Sequence, residues 1–107
     1  MTPEGKVKDR VKRLLALFGP KLWAHWPVQT GYGAPTLDCT GAINGHAFAI
    51  ETKYNDVPTK RQQLTIEEMR AAGIAVFVVG EKIYSDGGKA WQASGMMELG
   101  TWLKSHR

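Results

Sequence analysis

Apolar positions near the N-terminus recur at helical spacing: Val7, Val11, Leu14, Leu15 and Phe18. Thr2 is placed to cap this first helix, Pro3 suits its first turn, and Glu4 suits the positive end of the dipole. Gly19-Pro20 stops the run. Glu4 lies on the same stripe as Val7, Val11 and Leu14, which places a carboxylate at the edge of the core. From Lys21 to Gly33 the pattern is weaker. Trp23, Trp26 and Val28 suggest a short strand, and Gly31-Tyr32-Gly33 a flexible turn. Stacking on bases is open to the two tryptophans and Tyr32, but filling the core is the preferred reading, because small domains need aromatic area.

The centre of the chain predicts a hairpin: a strand over Thr36 to Ile43, a type I′ turn at Asn44-Gly45, and a partner strand over His46 to Lys53. Along that second strand Phe48 and Ile50 share one face, and Ala49, Glu51 and Lys53 the other. Thr59 and Gln62 form a capping box that opens a second helix, running to about Ala72 and ending at Gly73. Gln62, Ile66 and Met69 lie on its inward stripe, whereas Gln63, Glu67 and Arg70 do not. The β-branched run from Ile74 to Val79 predicts a strand buried on both faces and parallel to the Glu51 strand. After a turn at Asp86-Gly87-Gly88, the residues Met96, Leu99 and Leu103 mark a final helix. The class is therefore α/β: helices flanking a mixed central sheet, in the order αβββαβ, with a C-terminal helix.

Composition narrows the possibilities. With 107 residues and 43% hydrophobic content, the chain is expected to form one globular domain over residues 1–107. No apolar run approaches the ~20 residues of a membrane span, and the N-terminus has no apolar signal-peptide region. A cytoplasmic, non-membrane protein is expected. The single cysteine, Cys39, excludes an intrachain disulfide and a cysteine-rich zinc site. His25, His46 and His106 show no metal-ligand spacing. Basic residues outnumber acids 14 to 10, a formal charge of +4 that hints only mildly at a polyanionic partner. Their placement says more, since Lys6, Lys8, Arg10, Lys12 and Arg13, and later Lys60, Arg61 and Arg70, cluster around two helices.

The chemistry converges on a few side chains. Glu51 and Lys53 share a strand face, Asp38 lies across the hairpin, and Glu4 and Gln62 approach from two helices. Carboxylates gathered in a partly dry site repel one another, and a divalent cation relieves that repulsion. Oxygen ligands without Cys or His favour Mg²⁺ or Mn²⁺ over Zn²⁺. Such a centre suits phosphodiester hydrolysis, with Lys53 near the attacking water or the scissile phosphate; orienting the nucleophile and stabilising charge both remain open for it.

The order of elements, with Gly33 and Pro35-Thr36-Leu37-Asp38, then Ile50-Glu51-Thr52-Lys53, then Pro58-Thr59-Lys60-Arg61-Gln62 and Ala72-Gly73 before an apolar strand, resembles the PD-(D/E)XK nuclease superfamily. More narrowly it resembles the VRR-NUC group of phage, bacterial and DNA-repair nucleases. The resemblance covers roughly residues 2–80. It implies a restriction-endonuclease-like core, metal ligation by Asp38 and Glu51, catalytic support from Lys53, a role beside the site for Gln62, and an added glutamate matched by Glu4. Leu37 stands where the motif carries a proline before the aspartate.

The expected activity is metal-dependent DNA endonuclease cleavage, with Lys6, Arg10, Arg13, Lys60 and Arg61 contacting DNA. The chain is barely larger than a catalytic core. Structure-specific cutting of branched DNA or a Holliday junction by a homodimer is therefore the favoured subclass. A ribonuclease on the same fold is one rival, preferred against only by resemblance. A non-catalytic nucleic-acid-binding module is another, and an intact acidic cluster amid phosphate contacts argues against it. An unrelated interaction domain would leave the inward Glu4 and Gln62 unexplained.

Overall fold

The computed structural model describes residues 2–28, 36–83 and 90–107. The turns expected at Gly31-Tyr32-Gly33 and at Asp86-Gly87-Gly88, together with Pro35, fall outside these residues. Helix α1 (Pro3–Ala16) is followed by strands β1 (Leu22–His25), β2 (Cys39–Ile43) and β3 (His46–Asp56). Helix α2 (Lys60–Ala71), strand β4 (Ala75–Glu81), a 3₁₀ turn (Ala90–Ala93) and helix α3 (Met96–His106) complete the chain. No helix among the described residues is long and apolar enough to cross a membrane.

Thr2 caps α1 by accepting the Gly5 N–H at 3.0 Å, and Val7, Val11 and Leu15 form its buried stripe. The helix stops at Ala16, yet Phe18 still turns into the core. Strands β1, β2 and β3 are antiparallel neighbours, and β4 joins β3 in parallel after the crossover through α2. Asn44 and Gly45 both adopt positive φ, 47° and 83°, as the two-residue hairpin requires. Gly41 lets β1 lie close against β2, because a Cβ there would run into the Trp23 carbonyl and the Phe48 ring.

The alternation along β3 sorts the core into two layers. Phe48 and Ile50 pack with Val7, Val11, Leu15, Val79, Leu99 and Leu103 on the face covered by α1 and α3. Ala49 packs with Leu37, Ile66 and Val76 on the face covered by α2. Leu37, the residue before Asp38, is a fully buried member of that second layer. Strand β4 contributes to both layers, which accounts for its unbroken apolar sequence.

Three strand boundaries differ from expectation by three residues each. Strand β1 ends at His25 rather than running to Val28, since Pro27 has no N–H to give to a ladder. Strand β2 begins at Cys39 rather than Thr36, for a reason found in the site below. Strand β3 continues past Lys53 to Asp56, held by its parallel partner. Core filling also fails for one aromatic: Trp23 is 66% exposed, whereas Trp26 is half-buried against the first layer. Trp23 alternates with Leu22 and Ala24, and it is these two that take the inward positions. Tyr32 lies outside the described residues. His46 and His106, far apart in sequence, meet edge-to-face at 4.7 Å between ring centroids.

Candidate active site

The ladder between β2 and β3 is regular up to the pair Cys39↔Ile50. At the next rung two backbone-to-carboxylate bonds replace strand pairing. The Asp38 N–H donates to Glu51 Oε1 at 3.2 Å, and the Thr52 N–H donates to Asp38 Oδ2 at 2.8 Å. The site begins where the sheet hydrogen bonding stops, and this is why β2 starts at Cys39. The Thr52 hydroxyl also donates to Asp38 Oδ2 at 2.8 Å, so one carboxylate oxygen is held by two donors.

Glu51 is 3% exposed and Asp38 9%. Around Glu51, the Gln62 amide donates to Oε2 at 2.8 Å and the Lys53 ammonium stands 3.6 Å from the same oxygen. Gln62 is fixed at both ends, because its Oε1 accepts the Thr59 N–H at 2.9 Å as part of the α2 capping box. The Lys8 ammonium of α1 lies 3.6 Å from Asp38 Oδ1. Among the described residues no buried side-chain nitrogen or oxygen lacks a hydrogen-bond partner.

Burial pushes the Glu51 carboxyl up to about 7, with the negative charge of Asp38 adding to the effect and Lys53 opposing it. Burial and the same aspartate push the Cys39 thiol up to about 12, so it is an inert neighbour on the core face rather than a thiolate ligand. Lys53 therefore does not offset what burial and the neighbouring aspartate do to Glu51. A hard divalent cation fits this donor set, which offers carboxylate oxygens and neither imidazole nor thiolate. Asp38 and Glu51 are the residues that would hold it; Mg²⁺ is commonly bound by one or two carboxylates, with water and phosphate oxygens completing its shell.

The structure thus brings together Asp38, Glu51, Lys53 and Gln62. Glu4 lies exposed in the first turn of α1, four residues before Lys8 on the stripe that approaches Asp38. Among the described residues no three of His, Cys, Asp and Glu gather into a metal-binding group. Sequence reasoning missed Lys8 and Thr52. Lys8 carried a usable signal, since it follows Glu4 by one turn. Thr52 carried none, because strand alternation turns it away from Glu51. Of the basic positions, Lys6, Arg13, Lys60 and Arg61 are exposed and Arg10 is half-buried. Arg13 pairs with Asp9 at 2.7 Å, and Lys60 and Arg61 occupy the first turn of α2, which has no acidic residue.

No protein-family model matches the sequence, and no curated protein matches it. The fold, by contrast, is shared with a solved structure. It superposes on a solved chain described as "VRR_NUC domain" with a TM-score of 0.61, covering 73% of this chain and 84% of that one at 23% identity. At that identity the likeness speaks for the fold, and the function has to be argued from the side chains in the site.

Proposed function

We propose that this chain, as one catalytic domain over residues 1–107, is a metal-dependent endonuclease that hydrolyses DNA phosphodiester bonds. The observation that carries the reading is the buried Glu51 carboxylate, shared by the Asp38 N–H, Gln62 and Lys53. A structural ion pair would need no carboxylate raised toward neutrality beside a second acid. Bound Mg²⁺ or Mn²⁺ would polarise a phosphate oxygen and lower the pKa of an attacking water.

The chain's own groups supply the rest. Asp38 and Glu51 give the cation its anionic ligands, and Thr52 and Gln62 hold those carboxylates in place. Lys53 offers a proton-bearing cation beside Glu51, where it orients the nucleophile or balances charge developing on phosphorus. Glu4 is proposed as a further ligand, recruited from the exposed first turn of α1. Lys60 and Arg61 at the N-terminus of α2 join basic side chains to the positive end of a dipole, an arrangement that suits a phosphate. Together with Lys6, Arg10 and Arg13 they are the proposed DNA contacts.

Branched DNA, a Holliday junction above all, is the proposed substrate, and a two-fold homodimer would set two such sites on it. The test is cleavage of labelled four-way junction, flap, single-stranded and linear duplex DNA, with RNA counterparts, in Mg²⁺, Mn²⁺ or EDTA. Wild type is compared with Asp38→Asn and Lys53→Ala, and sedimentation gives the oligomeric state. Metal-dependent cutting lost in both variants is the expected result. Binding without cutting by folded wild type would leave a nucleic-acid-binding module, and cutting confined to RNA would make the chain a ribonuclease.

A further inference from the structure

Glu51 and Lys53 occupy the sheet face that α2 covers only over β3 and β4. The register carries the same face outward across the sheet. Trp23 lies opposite Ala42, which lies opposite Ala47; His25 lies opposite Thr40, which lies opposite Ala49. Cys39, Gly41 and Ile43 alternate with Thr40 and Ala42 and face the first core layer, so Trp23 and His25 stand on the Glu51 side. There the sheet is lined by Thr40, Ala42 and Ala47, none large enough to cover an indole.

The two rings are organised on this open area. Trp23 and His25 stack with centroids 6.0 Å apart and planes 12° from parallel. Both are exposed, and they sit on a hydrogen-bonded strand rather than on a loop. An isolated exposed apolar residue needs no explanation. Two near-parallel rings on one strand, on the same face as the catalytic carboxylate, do. With strands about 4.8 Å apart and a rise of about 3.3 Å per residue, the Cα of His25 lies ~12 Å from that of Glu51, and that of Trp23 ~16 Å. A short stretch of nucleotide chain spans either distance. The net positive charge of the chain, with the basic first turn of α2 on the same side, is compatible with a polyanion, and the flat, uncharged indole suits its bases.

We propose that Trp23, with His25 beneath it, is a stacking platform for an unpaired nucleobase of the DNA strand leading to the site. This deepens the nuclease reading and rests on it for the identity of the strand. A base buried in duplex cannot reach the platform without leaving its stack, so the platform favours substrates that already hold an unpaired nucleotide near the cut, such as flaps and the open centre of a junction. No partner strand or ordered recognition domain is needed for that preference.

Binding isolates the platform from catalysis. Affinity for a flap oligonucleotide is measured without divalent metal in the Asp38→Asn background, with Trp23 intact or changed to Phe or Ala. Each is tested on DNA carrying one abasic nucleotide moved stepwise along the flap. Trp23→Ala is expected to weaken binding about 10-fold, within the range of base–aromatic stacking, and Trp23→Phe to recover most of that loss. With Trp23 present, one abasic position should reproduce the loss. In the Trp23→Ala variant, which has no ring to stack on, the same abasic position should cost nothing further. Because Trp23 is exposed, the variants should keep the wild-type melting temperature. Equal affinities for all three proteins, or an abasic penalty that Trp23→Ala leaves unchanged, would overturn the platform even if metal-dependent cutting were found. A Trp23→Ala effect on self-association with none on DNA affinity would overturn it too. A Trp23-dependent abasic penalty in a protein that never cuts would sustain the platform and sink the nuclease reading.

Discussion

Glu51 is a carboxylic acid placed where its ionised form is least welcome, and the direction of the resulting pH dependence follows from its surroundings. Its folded-state pKa is pushed from 4.5 up to about 7. Between those values the folded protein binds the proton more tightly than the unfolded chain, so stability falls as pH rises through this window. Above it the whole penalty is present, on the order of 3 kcal/mol. In EDTA, the melting temperature should therefore decline from pH 4.5 to 7 through this group, and Glu51→Gln should remove that part of the slope, whatever its own mean stability. A cation coupled to the ionised carboxylate reverses the trend: Mg²⁺ should raise the melting temperature more at about pH 8 than at about pH 5. Equal shifts at both values would detach metal binding from Glu51. The residues of this centre were legible where periodicity alone aims a side chain: Glu51 and Lys53 by strand alternation, Gln62 by its helix stripe. Lys8 was legible only through its spacing from Glu4, since its contact with Asp38 forms when α1 closes over the end of the hairpin; Thr52 was not legible, because alternation turns it away from Glu51.

Among the elements, α2 shows how a local signal reaches the site. Its capping box satisfies the helix N-terminus, and the same Gln62 side chain supports Glu51. Thr59→Ala should cost about 1 kcal/mol and lower the melting temperature by about 4–8 °C. The Thr59 N–H that anchors the Gln62 side chain survives this substitution, so cleavage at low temperature should fall no further than the thermal loss predicts; a larger drop would show that the hydroxyl's bond to the Gln62 N–H also sets the site. Gly41→Ala is a purely structural counterpart, expected to destabilise by about 1–3 kcal/mol as β1 is forced away from β2. Chemical denaturation measures both. Helices and the hairpin turn were readable from caps and glycines. Strand ends were not, since β2 stops where a carboxylate takes over from the ladder, an event with no local signature. The outward position of Trp23 depended on a phase choice in a four-residue strand too short to reveal it.

At the scale of the whole molecule, the two edges of the sheet are treated differently. On β4 the Arg70 guanidinium donates to the Val76 carbonyl at 2.9 Å, and the Gly80 N–H donates to the Ser94 carbonyl at 3.0 Å. Both groups are thereby withdrawn from pairing with another strand. On the opposite side, β1 carries the exposed rings. Under the proposed nuclease reading, β1 and the mouth of the site are the side left to meet a large partner, beside the basic first turn of α2. Replacing Lys60 and Arg61 by alanine should weaken DNA binding on every substrate. It should also reduce the slope of log K against log salt by about 0.7–0.9 for each phosphate that these side chains neutralise. An unchanged slope, measured by titration at several salt concentrations, would move the DNA path away from α2.

The amide of Gln62 has a consequence for how such a chain can change over generations. Its oxygen is committed to the Thr59 N–H and its nitrogen to Glu51, so neither end is free to turn around. A glutamate there would keep the cap and set a second anion against Glu51; an apolar replacement at position 51 would leave the Gln62 N–H donors facing nothing. A lineage that replaced Glu51 by an apolar residue would inherit a flaw at the start of α2 and would need a second substitution to mend it. Glutamine at position 51 would keep an acceptor for Gln62 and shed the buried charge, so the soundness of the helix constrains the shape of that side chain rather than its acidity.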